Sequence, residues 1–386
     1  MGGHALKKVI ASRINLQTYN KIKIDIYEKV HKHNKNIETE FLIDRCEKQD
    51  FGDLDILYKF KTNNSNIVNL INNIFNPIEI VKNGNVCSFA YELTNNDFNL
   101  TTNKTYVQVD FICCENLETA KLYFSYGDLG MIIGQIAHYY CLSFGFDGLF
   151  VKLNSETIKK YIVQFDEDIK KCYKNFENPL TETHDDFDKN VINTILSSNY
   201  KSITLIDVPE EICKYLNLNY QQWKNGFKND NEIFNWICSS YIFNKKIFNV
   251  STSCKHKYRL DRKMYMNFID FLFKDNNNNN NLQNETLNGI LTDTKYDMQI
   301  YSIQYFNKEN ELKNMILDVV KKFILKDKFN GKIFLDLGIN ERSVAQYIGE
   351  FKRYVENTFN VIFDDWLNVM SKENVFEQIK LFISNK

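Results

Sequence analysis

The sequence predicts an α+β fold, a small mixed β-sheet with helices packed on it, followed by a mainly helical C-terminal region. Three observations carry this. Short runs rich in Val, Ile, Tyr and Phe recur between residues 38 and 113, bounded by Asn, Asp and Gly. Apolar residues at helical spacing fill 14–33 and 67–75. From Gln299 onward the pattern is almost wholly helical, with a break at Gly331.

In chain order, Ile14, Leu16, Tyr19, Ile22, Ile26 and Val30 predict a helix over 14–33. Alternation predicts strands over Glu38–Asp44 and Asp53–Phe60. A short helix covers Ile67–Phe75 and stops before Pro77. Strands follow at Ile78–Val81, Val86–Leu93 and Lys104–Cys113. Asp128–Phe144 reads as one long apolar helix capped by Asp128, with Gly130 and Gly134 permitting close packing. His138, within it, reads as a packing residue. A Gly145–Gly148 turn leads to a strand at Leu149–Leu153. Residues 158–174 fit a strand or a helix, and Glu182–Asp188 reads as an acidic loop. Residues 203–243 read as a new unit, with Asp207 capping a helix near Pro209 and an aromatic set of Trp223, Phe227, Phe234, Trp236 and Phe243. The expected organisation is 1–155, 156–274, an Asn-rich linker at 275–284, and a helical domain at 285–386.

A chain of 386 residues with formal net charge −1 has room for several cores, and no global field drives it onto a polyanion. Nine cysteines at irregular spacing include no C-x-x-C pair. They exclude a zinc ribbon and fit a reducing compartment, cytoplasmic or nuclear. No apolar run is long enough to span a bilayer, so no membrane role is expected. There is no P-loop, no G-x-S-x-G and no Rossmann glycine set.

The most informative segment is Lys48-Gln49-Asp50-Phe51-Gly52-Asp53-Leu54-Asp55-Ile56-Leu57-Tyr58. Asp53 and Asp55 are two apart at the start of a strand and so share a face. Like charges held there repel unless a cation lies between them. Asp110 sits within a second strand, among Val107, Val109, Phe111 and Ile112. A buried unpaired carboxylate there costs several kcal/mol. A metal removes that penalty, and so would a partner such as Arg45. Three acids on neighbouring strands meet the requirement of a site holding two divalent ions about 3.5–4 Å apart.

At these residues the chain resembles the nucleotidyltransferase superfamily that includes DNA polymerase β, poly(A) polymerases and tRNA CCA-adding enzymes. It is similar in finer detail to a branch found in large DNA viruses, phages and fungi. The matching pieces are Met1–Leu6, Asp50–Asp55, Tyr126–Gly134, Leu216–Leu218 with Trp223, Gly226 and Phe227, Arg262–Tyr265, and Phe329–Gly331. The resemblance implies that the sheet is a nucleotidyltransferase palm. It implies transfer of a nucleoside monophosphate from an NTP, with Mg²⁺ or Mn²⁺ held by Asp53, Asp55 and Asp110. The acceptor implied is a nucleic-acid 3′ hydroxyl, RNA rather than DNA. Gly52 would allow close backbone approach. The superfamily carries a Gly-Gly or Gly-Ser turn shortly before the acids, whereas here Gly2 and Gly3 lie about fifty residues upstream. Either those glycines fold back to the site, or Arg45 and Lys48 hold the phosphates. Two other readings stay open: transfer to a protein or small molecule, and an inactive palm used for binding.

Two basic areas complete the picture. Lys255, Lys257, Arg259, Arg262 and Lys263 interleave with His256 and Tyr258, a pattern suited to a nucleic-acid backbone or to a solvated face. Lys326, Lys328, Lys332, Arg342, Lys352 and Arg353 form the second.

Overall fold

The structure is a computed structural model that describes residues 5–62, 66–93, 105–174, 184–197, 201–248, 262–274 and 295–386. The fold is α+β. The chain forms two compact units that interleave in sequence, residues 1–151 with 204–298, and residues 152–203 with 299–386. The Asn-rich linker and the residues from Lys255 to Arg259 lie outside the described residues.

The first unit begins with β1 (Ile14–Asn15) and α1 (Leu16–His33). Asn15 caps α1 by accepting the Thr18 N–H, and His31, Lys32 and His33 occupy its last turn, where cations favour the helix dipole. Then come β2 (Ile37–Phe41), β3 (Asp50–Phe51), β4 (Asp53–Phe60), α2 (Ile67–Phe75), β5 (Ile80–Asn83), β6 (Val86–Leu93) and β7 (Thr105–Cys113). Five of these strands make one mixed sheet in the order β2-β4-β7-β6-β5, in which only β4 and β7 run parallel. A parallel pair needs a crossover, and α2, β5 and β6 supply it.

Alternation divides the sheet into two faces. Leu54, Ile56 and Tyr58 of β4 join Val107, Val109 and Phe111 of β7 in a core closed by Tyr19, Ile22, Ile26 and Val30 of α1 and Ile67 and Ile71 of α2. Each such side chain contributes about 1.5–3 kcal/mol when fully buried. On the other face, α3 (Leu117–Phe124) covers only one end, packing Ala120 against Leu57 and Ile112. The opposite end of that face carries the acids.

The apolar run from 128 to 144 is a helix followed by a strand. Helix α4 (Leu129–Tyr139) stops before Cys141, whose φ of 58° places it in the left-handed region, and β8 (Leu142–Gly145) follows. β8 pairs with β9 (Gly148–Lys152), and β10 (Ser202–Ile206) joins β9. Asp128 occupies the N-cap position of α4 without a capping hydrogen bond, and its carboxylate instead accepts from Arg262 at 2.6 Å. His138 is exposed and lies outside the core. The helix at Pro209–Tyr215 starts from Val208, and Asp207 contributes only its carbonyl, to Asn116 and Thr119. The aromatic set at 223–243 belongs to the first unit.

The second unit is helical. Residues 155–164 and 166–174 are helices, and the acidic stretch read as a loop runs into a helix at His184–Ser197. The C-terminal helices, from Glu309 to Ser384, close over Phe334, Phe351, Val355, Trp366 and Ile379. Lys328 is buried, with its amino group donating to the carbonyls of Leu367, Asn368 and Met370, so it leaves the second basic area. Among the described residues, no helix is long and apolar enough to cross a membrane.

Candidate active site

The parallel register sets Asp55 opposite Asp110 and Asp53 opposite Gln108. The β6–β7 pairing adds Ser88 opposite Asp110, so Asp55, Asp110 and Ser88 form a row across three strands on one face. Carboxylate oxygens of Asp53, Asp55 and Asp110 all lie within 4.8 Å of one another. Asp110 is buried, while Asp53 and Asp55 are half-buried. Gly52 is buried in the bend between β3 and β4.

Three carboxylates this close cannot all carry full charge without compensation. Burial, followed by the fields of Asp53 and Asp110, pushes Asp55 up to about 8. Burial likewise raises Asp110, and Asp53 adds to it, against hydrogen bonds from Ser88 and Gln108 that hold it down. Gln108 donates to both carboxylate oxygens of Asp110, at 3.0 and 2.9 Å. The donor set is entirely oxygen and doubly acidic on one strand, which suits a hard divalent cation such as Mg²⁺ or Mn²⁺.

A cationic cluster stands beside the acids. Lys48 reaches Asp44 at 3.1 Å and draws the Asp55 carboxyl downward. Lys23 of α1 reaches the same Asp44 at 3.4 Å, and its own ammonium is disfavoured by burial. Tyr19 hydrogen-bonds Asp44, and its phenol is raised by burial and then by Asp44, with smaller pushes from Asp55 and Asp53. Arg45 points elsewhere, into a 2.6 Å ion pair with Asp230. It does not neutralise Asp110.

The loop carrying Arg45 and Lys48 is fixed from behind. Ile43 accepts from the Tyr126 N–H at 2.7 Å and donates its own N–H to Ser125. Cys46 donates to the Phe227 carbonyl. Tyr126 holds a φ of 58° and Gly127 one of 70°, a turn that a bulky residue resists. The buried Tyr126 hydroxyl, donating to the Trp223 carbonyl at 2.7 Å, and its ring contact with Phe227 secure that turn. A Cβ on Gly127 would meet Met264 Sδ at 3.1 Å.

The structure thus brings Asp53, Asp55 and Asp110 together, with Gly52 beside them and Lys48 within electrostatic reach. Gly2 and Gly3 lie outside the described residues. Sequence patterning assigns Tyr19 only to the apolar face of α1 and Asp44 only to a strand end, and it gives Lys23, Ser88 and Gln108 no role at the site. Gln108 was reachable, because it sits two before Asp110 on an alternating strand and shares its face.

No family model matches the chain, and no curated protein matches it. Among solved structures it is similar to polymerase beta of Leishmania infantum, solved as a ternary P/T complex, at 16% identity and a TM-score of 0.31. The match covers 38% of this chain and 60% of that one, so the chain spans about three fifths of the neighbour's length.

Proposed function

We propose that the chain is a divalent-metal-dependent nucleotidyltransferase that moves a nucleoside monophosphate from an NTP to a hydroxyl acceptor. The observation that carries this is the convergence of Asp53, Asp55 and Asp110 within 4.8 Å on one face of a parallel strand pair. Asp53, Asp55 and Asp110 would hold the cations, with Asp110 helping to activate the acceptor. When bound, the cations supply charge neutralisation to the triphosphate and acidify the attacking hydroxyl.

The chain's own groups do the rest. In the reaction an acceptor oxygen bonds to the α-phosphorus, the bond to the β-phosphate bridging oxygen breaks, and pyrophosphate leaves. Asp110 helps activate the acceptor hydroxyl, whose proton passes to solvent. Lys48 contributes positive charge beside the acids, and Arg45, held by Asp230, keeps the loop carrying Lys48 in place. Gly2 and Gly3 are candidate triphosphate contacts. The palm corresponds to residues 1–155 in this reading, and the acceptor is a nucleic-acid 3′ end, RNA before DNA, as in poly(A) polymerases and CCA-adding enzymes. The formal net charge of −1 favours a second reading, transfer to a protein or small molecule.

Incubation with each labelled NTP, Mg²⁺ or Mn²⁺, and a mixture of RNA, tRNA and DNA ends separates these. Strand extension supports the first acceptor class, and label on protein supports the second. Silence under every condition, without a metal-induced rise in Tm, would leave a binding module.

A further inference from the structure

We propose that Gln108 positions Asp110 for cation binding and is itself set by the backbone N–H of Ala5, which makes the N-terminal segment Ala5–Ser12 a working part of the site. This rests on the metal-site reading above. It adds a positioning residue on the sheet and a tether that reaches the acids from the far end of the chain.

The chemistry follows from a polar side chain with two unlike ends. Gln108 is 3% exposed, so both ends need partners within the protein. Its Oε1 accepts the Ala5 N–H at 2.9 Å, and its Nε2 donates to Asp110 at 3.0 and 2.9 Å. A backbone N–H can only donate. Ala5 therefore admits only the amide orientation in which the NH₂ group faces Asp110. With the amide turned over, Oε1 would face a carboxylate and two N–H groups would face each other. The Ala5 amide thus decides that Asp110 is met by a donor.

The segment is anchored well enough to enforce that choice. Leu6 is buried. The buried Glu79 carboxylate accepts the N–H groups of Lys7 and Lys8 at 2.8 Å each, and Val9 contributes a third. Burial raises Glu79, yet these three donors bring its carboxyl below the usual range. Further on, Ser12 donates to the Tyr106 carbonyl at 2.8 Å, where Ala11 forms a bridge beside β7. Ala5 is therefore delivered to Gln108 by a fixed segment.

A site oriented in this way couples in both directions, because coupling free energies are reciprocal. A cation bound at the acids tightens Asp110, Gln108 and the segment; loss of the Ala5 contact loosens the acids. The test is hydrogen exchange of the amides of residues 5–12 on the full chain, with and without Mn²⁺, beside a Mn²⁺ titration. In the wild type, Mn²⁺ should slow exchange in the segment by about fivefold or more. Gln108→Met, which fills the volume without hydrogen bonds, should abolish that slowing and weaken Mn²⁺ binding by about 10–100-fold. Ala5→Pro removes the N–H from outside the sheet and keeps the test open if Gln108→Met fails to fold. It should weaken Mn²⁺ binding in the same direction. Wild-type Mn²⁺ affinity in a folded Gln108→Met or in Ala5→Pro overturns this inference and leaves the proposed function standing. Absence of Mn²⁺ binding by the wild type overturns the proposed function and this inference with it.

Discussion

Asp55 and Asp110 stand directly opposite each other across the parallel β4–β7 pair, in a row that Ser88 completes. Opposed like charges destabilise a sheet. The pair is therefore costly in the metal-free protein, where Asp55 holds a proton that avoids the repulsion, and a permanently uncharged amide should relieve that cost. Asp55→Asn is expected to stabilise the metal-free protein by about 1–3 kcal/mol while removing metal-induced stabilisation. Thermal melts with and without Mg²⁺ check both halves.

The same crowding fixes a pH dependence. Asp55 is raised from an ordinary value of 3.8 to about 8, so between those values the folded chain keeps a proton that the unfolded chain releases. Stability of the metal-free protein should therefore fall as pH rises from about 4 to about 8 and level off above. A cation competes with that proton, so Mg²⁺ affinity should climb over the same window, by at most about tenfold per pH unit. Denaturant midpoints and Mg²⁺ titrations at pH 6, 7 and 8 read the two trends.

Helix α4 meets α3 at Gly130, where any Cβ would overlap the Tyr123 carbonyl oxygen. Backbone cannot move aside as a flexible side chain does. Gly130→Ala is expected to destabilise by about 3 kcal/mol or more, whereas Gly134→Ala, with 3.2 Å to the Phe144 carbonyl, should be milder. Urea unfolding of both variants ranks them.

The Arg45–Asp230 pair is half-buried, with side chains 21% and 13% exposed. Asp230→Ala strands a guanidinium and should destabilise by about 2–3 kcal/mol. Arg45→Ala/Asp230→Ala should be affected less than the sum of the single changes. A double-mutant cycle by thermal unfolding measures this.

Much of the sheet was legible because its strands alternate and its acids interrupt apolar runs. β4 matches Asp53–Phe60, and β6 matches Val86–Leu93. The shared face of Asp53 and Asp55 is legible, since i and i+2 alternation is local, whereas the place of Asp110 beside them depends on the β4–β7 register. The α4–β8 boundary was not, because Leu142 and Phe144 continue the apolar run and only a left-handed Cys141 divides it. Lys328 read as surface charge because composition does not reveal the three carbonyls waiting for it. The grouping of Tyr19, Lys23 and Asp44 has no local signature, because they meet only through tertiary packing of α1 against the loop after β2. The return of Ala5 to Gln108, 103 residues away, has no local signature at all.

The central claim is that Asp53, Asp55 and Asp110 together grip divalent cations. Mn²⁺ binding followed by electron paramagnetic resonance tests it most directly, in the wild type and in Asp53→Asn/Asp55→Asn/Asp110→Asn. The expected result is saturable binding in the wild type and its loss in a triple variant that melts as a folded protein. Equal Mn²⁺ binding by the two proteins would contradict the claim.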